Sequence, residues 1–399
     1  MFNYLQNTSF ALHLAQLNKT WQRSRYNRYS DPAKQEYHET LESLFLKLIE
    51  IDSSSLTPVA IDGYKIAADF LFKSVEFLDS STLNLIPFET VECLSYALED
   101  WRKETDNFII VTNLVKDLSG YSFDPTLVRQ GKYDRLLVDF DITFKSKLIQ
   151  INVPAYLSRD YLSSVVLYHE LGHFINEQYK VCESIFARIV DLDLDIIENK
   201  ALFEHFFHFD RLRFEKWKER RNDPDTMKKI ERLMLSYLGE YFCDLFSVQY
   251  SGNSFPQYLD YIEPDASQTS THPSKNRRIE LMEAFLNDRS SSPAAKTLIN
   301  IYQNALQKIL GKSLSIRYTL LDNQCFYDLL PAQIENEKQL HAVFIQGWEC
   351  WSKSKRHSDI DRVASLKESP MSRYEIINNL MEKSIGNFIV KRDWEKNEI

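Results

Sequence analysis

Apolar residues recur at helical spacing through the first hundred positions. Leu41, Leu44, Phe45, Leu48 and Ile49 form one stripe, and Ala67, Leu71, Val75 and Leu78 form the next. Such i, i+3, i+4 recurrence predicts amphipathic helices, and the serine runs at 53–55 and 80–81 separate them. Three or four packed helices are expected over 1–105. Beyond 106 the period changes. Phe108-Ile109-Ile110-Val111 is a short β-like run, and Val138, Phe140, Ile142 and Phe144 alternate with polar residues. The alternation resumes at Ile149, Ile151 and Val153, which predicts a hairpin ending at Pro154, with 148–153 as a sheet edge open to an added peptide strand. Ser158 or Asp160 is expected to cap a helix from Tyr161. Further helices are expected over about 226–250, from Ser292-Pro293 onward, and over about 337–353 and 372–390.

These elements define an α+β chain, predominantly helical, in three segments: a helical region over 1–105, a domain with a small sheet over 106–289 and a helical region over 290–399. Nine glycines and 12 prolines in 399 residues suit helices better than a turn-rich β fold. Apolar residues at 44% and charged residues at 26% describe a globular chain. With 48 basic and 57 acidic side chains the net charge is −9, which argues against nucleic acid as a partner. Five dispersed cysteines, without a C-x-x-C pair, read as buried small hydrophobes in a reducing compartment. Neither a signal peptide nor an 18-residue uncharged apolar stretch is found, so a cytoplasmic protein without a transmembrane segment is expected. The spacing says nothing about oligomeric state.

The chemistry concentrates in His169-Glu170-Leu171-Gly172-His173. Histidines four apart share one helical face and can reach a single Zn²⁺, while Glu170 is displaced around the helix and can serve as general base. With 9 histidines and 57 acidic residues, about 0.03 chance matches to such a pattern are expected. A catalytic zinc needs a third protein donor and an open position. Asn176 and Tyr179 exclude the metzincin pattern, and Leu192 occupies the position where thermolysin-like spacing would want a glutamate. Of two E-x-x-x-D matches downstream, Glu219/Asp223 falls in a charged run and Glu240/Asp244 in an apolar, aromatic helix. Glu240 is therefore the expected third ligand, and Asp244 the acceptor for the far ring N–H of a zinc histidine. The scheme requires the Glu240 carboxylate within about 8 Å of the imidazole pair.

Further on lies Ser270-Thr271-His272-Pro273-Ser274, continuing to Arg278-Ile279. HELGH, then E-Y-F-C-D, then S-T-H-P-S-x-x-x-R-I resembles the HtpX, Oma and CAAX prenyl endopeptidase family of gluzincins, over about 165–280. The resemblance implies a zincin-like metallopeptidase core, zinc on His169, His173 and Glu240, and Glu170 as general base. It also implies that His272 and Arg278 lie near the site, stabilising the oxyanion or holding the ligand helix. Cys243 stands where the family has alanine, and Ser274 where it has a second proline. The family's membrane helices have no counterpart, so its membrane-embedded substrates are not carried over.

The expected function is zinc-dependent endoproteolysis of a peptide or protein substrate. The alternatives are a silent zincin-fold binding or regulatory protein and a zinc aminopeptidase, the latter disfavoured by the lack of a G-x-M-E-N signature. His205 and His208 form a weaker second metal candidate. Asp191, Asp193 and Asp195 lack the glycine and glutamate of a calcium loop. Trp348 and Trp351 read as helix core.

Overall fold

The computed structural model describes residues 2–52, 56–80, 87–118, 120–128, 131–190, 192, 196–207, 224–262, 269, 272–287, 292–322, 324–353 and 370–397. Among the described residues the chain is mostly helical, with one three-stranded sheet. It forms two compact units, Met1–Val91 with Arg102–Ser158, and Glu92–Trp101 with Arg159–Ile399.

The first unit holds α1 (Phe2–Ser24), α2 (Pro32–Ile49), α3 (Pro58–Ser80) and the start of α4 (Phe88–Trp101). Asp31 caps α2 by accepting from Ala33 N–H at 2.9 Å, with Pro32 in the first turn, where a missing N–H costs nothing. The two predicted stripes are the buried faces. Leu41, Leu44, Phe45 and Leu48 on α2 and Ala67, Leu71, Val75 and Leu78 on α3 share one core. Inside it the Tyr37 hydroxyl meets Ser74 Oγ at 3.1 Å and Tyr133 Oη at 3.0 Å, and Tyr133 Oη accepts from Leu148 N–H. Each buried hydroxyl thereby finds a partner, as burial requires.

The sheet comprises β1 (Phe108–Val115), β2 (Ser122–Asp124) and β3 (Lys147–Pro154), in the order β1-β3-β2. β3 runs parallel to β1, with Ile110 opposite Ile149, and antiparallel to β2, with Phe123 opposite Ile151. Two expectations fail here. The stretch expected as the first hairpin strand, from Val138 to Phe144, is instead the last turn of α5 (Lys132–Phe140) and an irregular segment that begins with Asp141 in left-handed conformation at φ 50°. Tyr133, Leu136 and Phe140, at helical spacing, are buried, whereas Val138 is 81% exposed. The helical stripe outweighs an alternation that shares Phe140 with it. The 148–153 strand is central, not an edge. β1 pairs with it along its length and β2 covers Gln150, Ile151 and Asn152 on its other side, so an added peptide strand is blocked at its centre.

The second unit contains the last ten residues of α4 and the rest of the chain. A 3-10 turn at Ser163–Val165 leads into α6 (Val166–Tyr179), then α7 (Val181–Val190), α8 (Ile197–Leu202) and a π turn (Phe203–Phe207). Next come α9 (Pro224–Ser251), α10 (Ser254–Ile262), α11 (Lys275–Leu286) and α12 (Pro293–Leu310). Short α13 (Gln324–Tyr327), α14 (Glu337–Ser352) and α15 (Pro370–Asn397) complete the unit. Ser292 caps α12 through Ala295 N–H at 3.2 Å.

From Tyr237 to Gly252 α9 and its end are buried on every side, as expected of a helix enclosed by others. Its closest approach is to α6. A Cβ on Gly172 would stand 2.9 Å from Cys243 Cα, so glycine is what lets the two helices touch. Trp348 is buried as expected, but Trp351 is 38% exposed at the end of α14. Among the described residues no helix is long and apolar enough to cross a membrane.

Candidate metal centre

The turn that leads into α6 is held by Asp160. Asp160 Oδ1 accepts from Ser163 N–H at 3.1 Å and Asp160 O from Ser164 N–H at 3.0 Å. The helical run so begun carries His169, Glu170 and His173 toward α9. There the ring planes of the two histidines are nearly perpendicular, with centroids 4.8 Å apart. His169 Nε2 lies 3.4 Å from Glu240 Oε2, and His173 Nε2 lies 3.6 Å from Glu240 Oε1. One turn further along α9, Asp244 Oδ1 is 3.1 Å from His169 Nδ1, off the line of its N–H, so the contact is electrostatic rather than an aligned hydrogen bond. The separation required at the outset, under about 8 Å, is met with room to spare.

Arg278 on α11 secures both carboxylates. Its Nε and NH2 donate to Asp244 at 2.8 and 2.7 Å, a bidentate pair, and NH2 also lies 3.5 Å from Glu240 Oε2. With Asp244 fully buried and Arg278 nearly so, the forked, charge-assisted geometry offsets the desolvation of both. The guanidinium faces both carboxylates. His272 is half-exposed, with Nε2 3.7 Å from Glu240 Oε1. Phe255 of α10 stacks on His169 at 5.4 Å and closes the far side of that ring.

Burial dominates the electrostatics, modulated by neighbouring charges. Burial alone would lower His169, but the Asp244 and Glu240 carboxylates overcome it and hold the imidazole up at about 9. Burial, with the His169 charge beside it, pushes His173 down to about 4. Burial raises the Glu170 carboxyl to about 7; the His169 and Arg278 charges oppose this and the Glu240 charge adds to it. Burial works against the ionised form of Glu240 too, yet His169 and Arg278 hold its carboxyl far below the usual range. Asp244 is likewise lowered, burial being outweighed by Arg278. The centre therefore offers one neutral imidazole, one imidazole whose proton a cation would displace, and one carboxylate kept ionised.

Sequence reasoning missed two contributors. Cys243 was expected only to pack, but a donor atom each from His169, His173 and Cys243 lie within 4.8 Å of one another, a group able to hold a metal ion. The signal was its position three residues after Glu240, on a neighbouring part of the same helix face. Burial raises the Cys243 thiol well above its ordinary value, so it stays protonated. Phe255 left no signal in spacing. His205, the weaker metal candidate, is paired with Glu280 at 2.7 Å. His208, Asp191, Asp193, Asp195, Glu219, Asp223, Ser270 and Thr271 lie outside the described residues.

Comparison with protein-family models, curated proteins and solved structures found no match to this chain.

Proposed function

We propose that the chain is a zinc-dependent metallopeptidase acting on internal peptide bonds, with a gluzincin-type site. One observation carries the reading: the Glu240 carboxylate reaches both HELGH imidazoles, at 3.4 and 3.6 Å. Two imidazoles and one ionised carboxylate form a donor set suited to catalytic zinc, which keeps a fourth position for water or substrate. His169, His173 and Glu240 would hold the ion, with the Asp244 carboxylate behind His169 favouring a proton on Nδ1 electrostatically.

Bound there, zinc would polarise the scissile carbonyl and bring the pKa of a bound water from about 15.7 to about 7. The protein's part is proton handling and positioning. Glu170 takes the proton of the attacking water on its carboxylate and delivers it to the leaving amine nitrogen. His272, half-exposed at the rim, can donate to the substrate carbonyl oxygen as charge develops. Arg278 holds Glu240 and Asp244 in register.

The test pairs metal content with turnover. Wild type and Glu170→Gln are dialysed and assayed for zinc and for cleavage of a broad peptide library. Both should retain about one zinc per chain, and the variant should lose at least about 100-fold in kcat. No stoichiometric zinc in wild type, or full activity in Glu170→Gln, removes the proposal. Zinc without cleavage in wild type would instead favour the silent binding protein.

A further inference from the structure

The first N–H groups of a helix have no intrahelical acceptor. At the run leading into α6, Asp160 serves the third and fourth of them. The first two are served from far along the chain: Asn378 Oδ1 on α15 accepts from Tyr161 N–H at 2.7 Å and from Leu162 N–H at 3.2 Å. Asn378 is buried, and its Nδ2 donates to Tyr374 O at 3.1 Å. Two N–H groups facing one side-chain atom fix the amide orientation, since the flipped amide would set donor against donor. Neighbouring α14 adds two contacts. Trp348 Nε1 donates to Leu162 O at 2.8 Å, and Tyr168 Oη meets buried His341 Nδ1 at 2.8 Å. Tyr168 immediately precedes His169.

From these contacts we infer that Asn378 is a positioning residue for the metal centre, acting by anchoring the turn that leads into the helix that carries HELGH; the inference rests on the proposed zinc site. Tyr161 lies eight residues before His169, roughly 12 Å along a helix. A swing of a few degrees about that point moves the imidazole by about 0.5 Å, more than the roughly 0.2 Å that metal–donor distances tolerate. Asn378 thus acts through α6 without touching the centre. Nothing in the local sequence around HELGH points to it.

The experiment compares wild type with Asn378→Leu, which keeps bulk but removes the acceptor, and Asn378→Asp, which keeps it. Ser384→Ala is the control on the same helix. It removes the contact from Ala332 N–H to Ser384 Oγ and leaves residues 161–162 untouched. Amide hydrogen exchange over 161–175 is read on metal-free protein, and zinc affinity by competition with a chromophoric chelator. Asn378→Leu should speed exchange in that segment and weaken zinc about tenfold. Asn378→Asp should restore both to within about twofold, and Ser384→Ala should change neither. Wild-type exchange in Asn378→Leu overturns the inference. So does faster exchange with wild-type zinc affinity, or an equal effect from Ser384→Ala. Should wild type bind no zinc, the functional proposal falls, and with it the inferred role of Asn378, whereas the exchange data still show whether Asn378 anchors the turn before α6.

Discussion

Gly172 sits where α6 and α9 come closest, and adding one methyl group there separates two effects. The new Cβ would lie 2.9 Å from Cys243 Cα, 3.2 Å from its Cβ and 3.3 Å from its Sγ. Carbon atoms settle at about 3.5–4.0 Å, so the helices must part locally by roughly 0.6–1.0 Å. Replacing a mid-helix glycine by alanine gains about 1 kcal/mol of helix propensity, while overpacking costs about 1–3 kcal/mol. The net loss in stability is small, about 0–2 kcal/mol. The centre has no such latitude, because metal–donor distances tolerate only about 0.2 Å. Gly172→Ala should therefore fold, with a urea midpoint slightly below wild type, and bind zinc about 10- to 100-fold more weakly. Gly239 provides the matched case. It lies beside Glu240, and an added Cβ meets only Asn176 Nδ2, at an ordinary 3.7 Å. Gly239→Ala should raise stability by about 0.5–1 kcal/mol and leave zinc affinity unchanged. The pair is read by urea unfolding and chelator competition. Wild-type zinc affinity in Gly172→Ala would refute the claim that this close approach sets the spacing of the donors.

Two further outcomes are expected. Burial pushes His341 down to about 3, so below pH 6.5 the unfolded chain takes up a proton that the folded one does not. Stability contributed by this group is full above pH 6.5 and falls as pH drops, by about 2 kcal/mol between pH 6.5 and 5; urea titrations of wild type and His341→Gln should differ by that slope. Arg278→Met leaves the buried Asp244 carboxylate without its bidentate partner and should cost about 3–5 kcal/mol of unfolding free energy, with Arg278→Lys losing less.

The parts of the centre that sequence could locate are those whose residue types are scarce and whose spacing is helical. The two HELGH histidines stand four apart, and Glu240/Asp244 repeats the interval on a helix with apolar faces; the fold brings all four side chains together. Caps were legible for the same local reason, as at Ser292-Pro293. The sheet was not. Phe140 belongs to both a two-residue and a three-to-four-residue recurrence, and only burial of Tyr133 and Leu136 beside it decides for the helix. Strand order depends on pairing between Phe108–Val115 and Lys147–Pro154, which no local pattern encodes. Cys243 reads as packing from its type, and its nearness to two imidazoles appears only once α6 and α9 touch.

Tyr161 and the side chain that accepts its N–H are separated by 217 positions. During synthesis the two imidazoles emerge first, Glu240 later, and Asn378 much later still. A nascent chain therefore displays every proposed zinc donor before it has the acceptor that anchors the turn before α6. Contacts of such long separation form late in folding as well. Under the proposed reading, the metal centre would reach its full affinity for zinc only after residue 378 has been added.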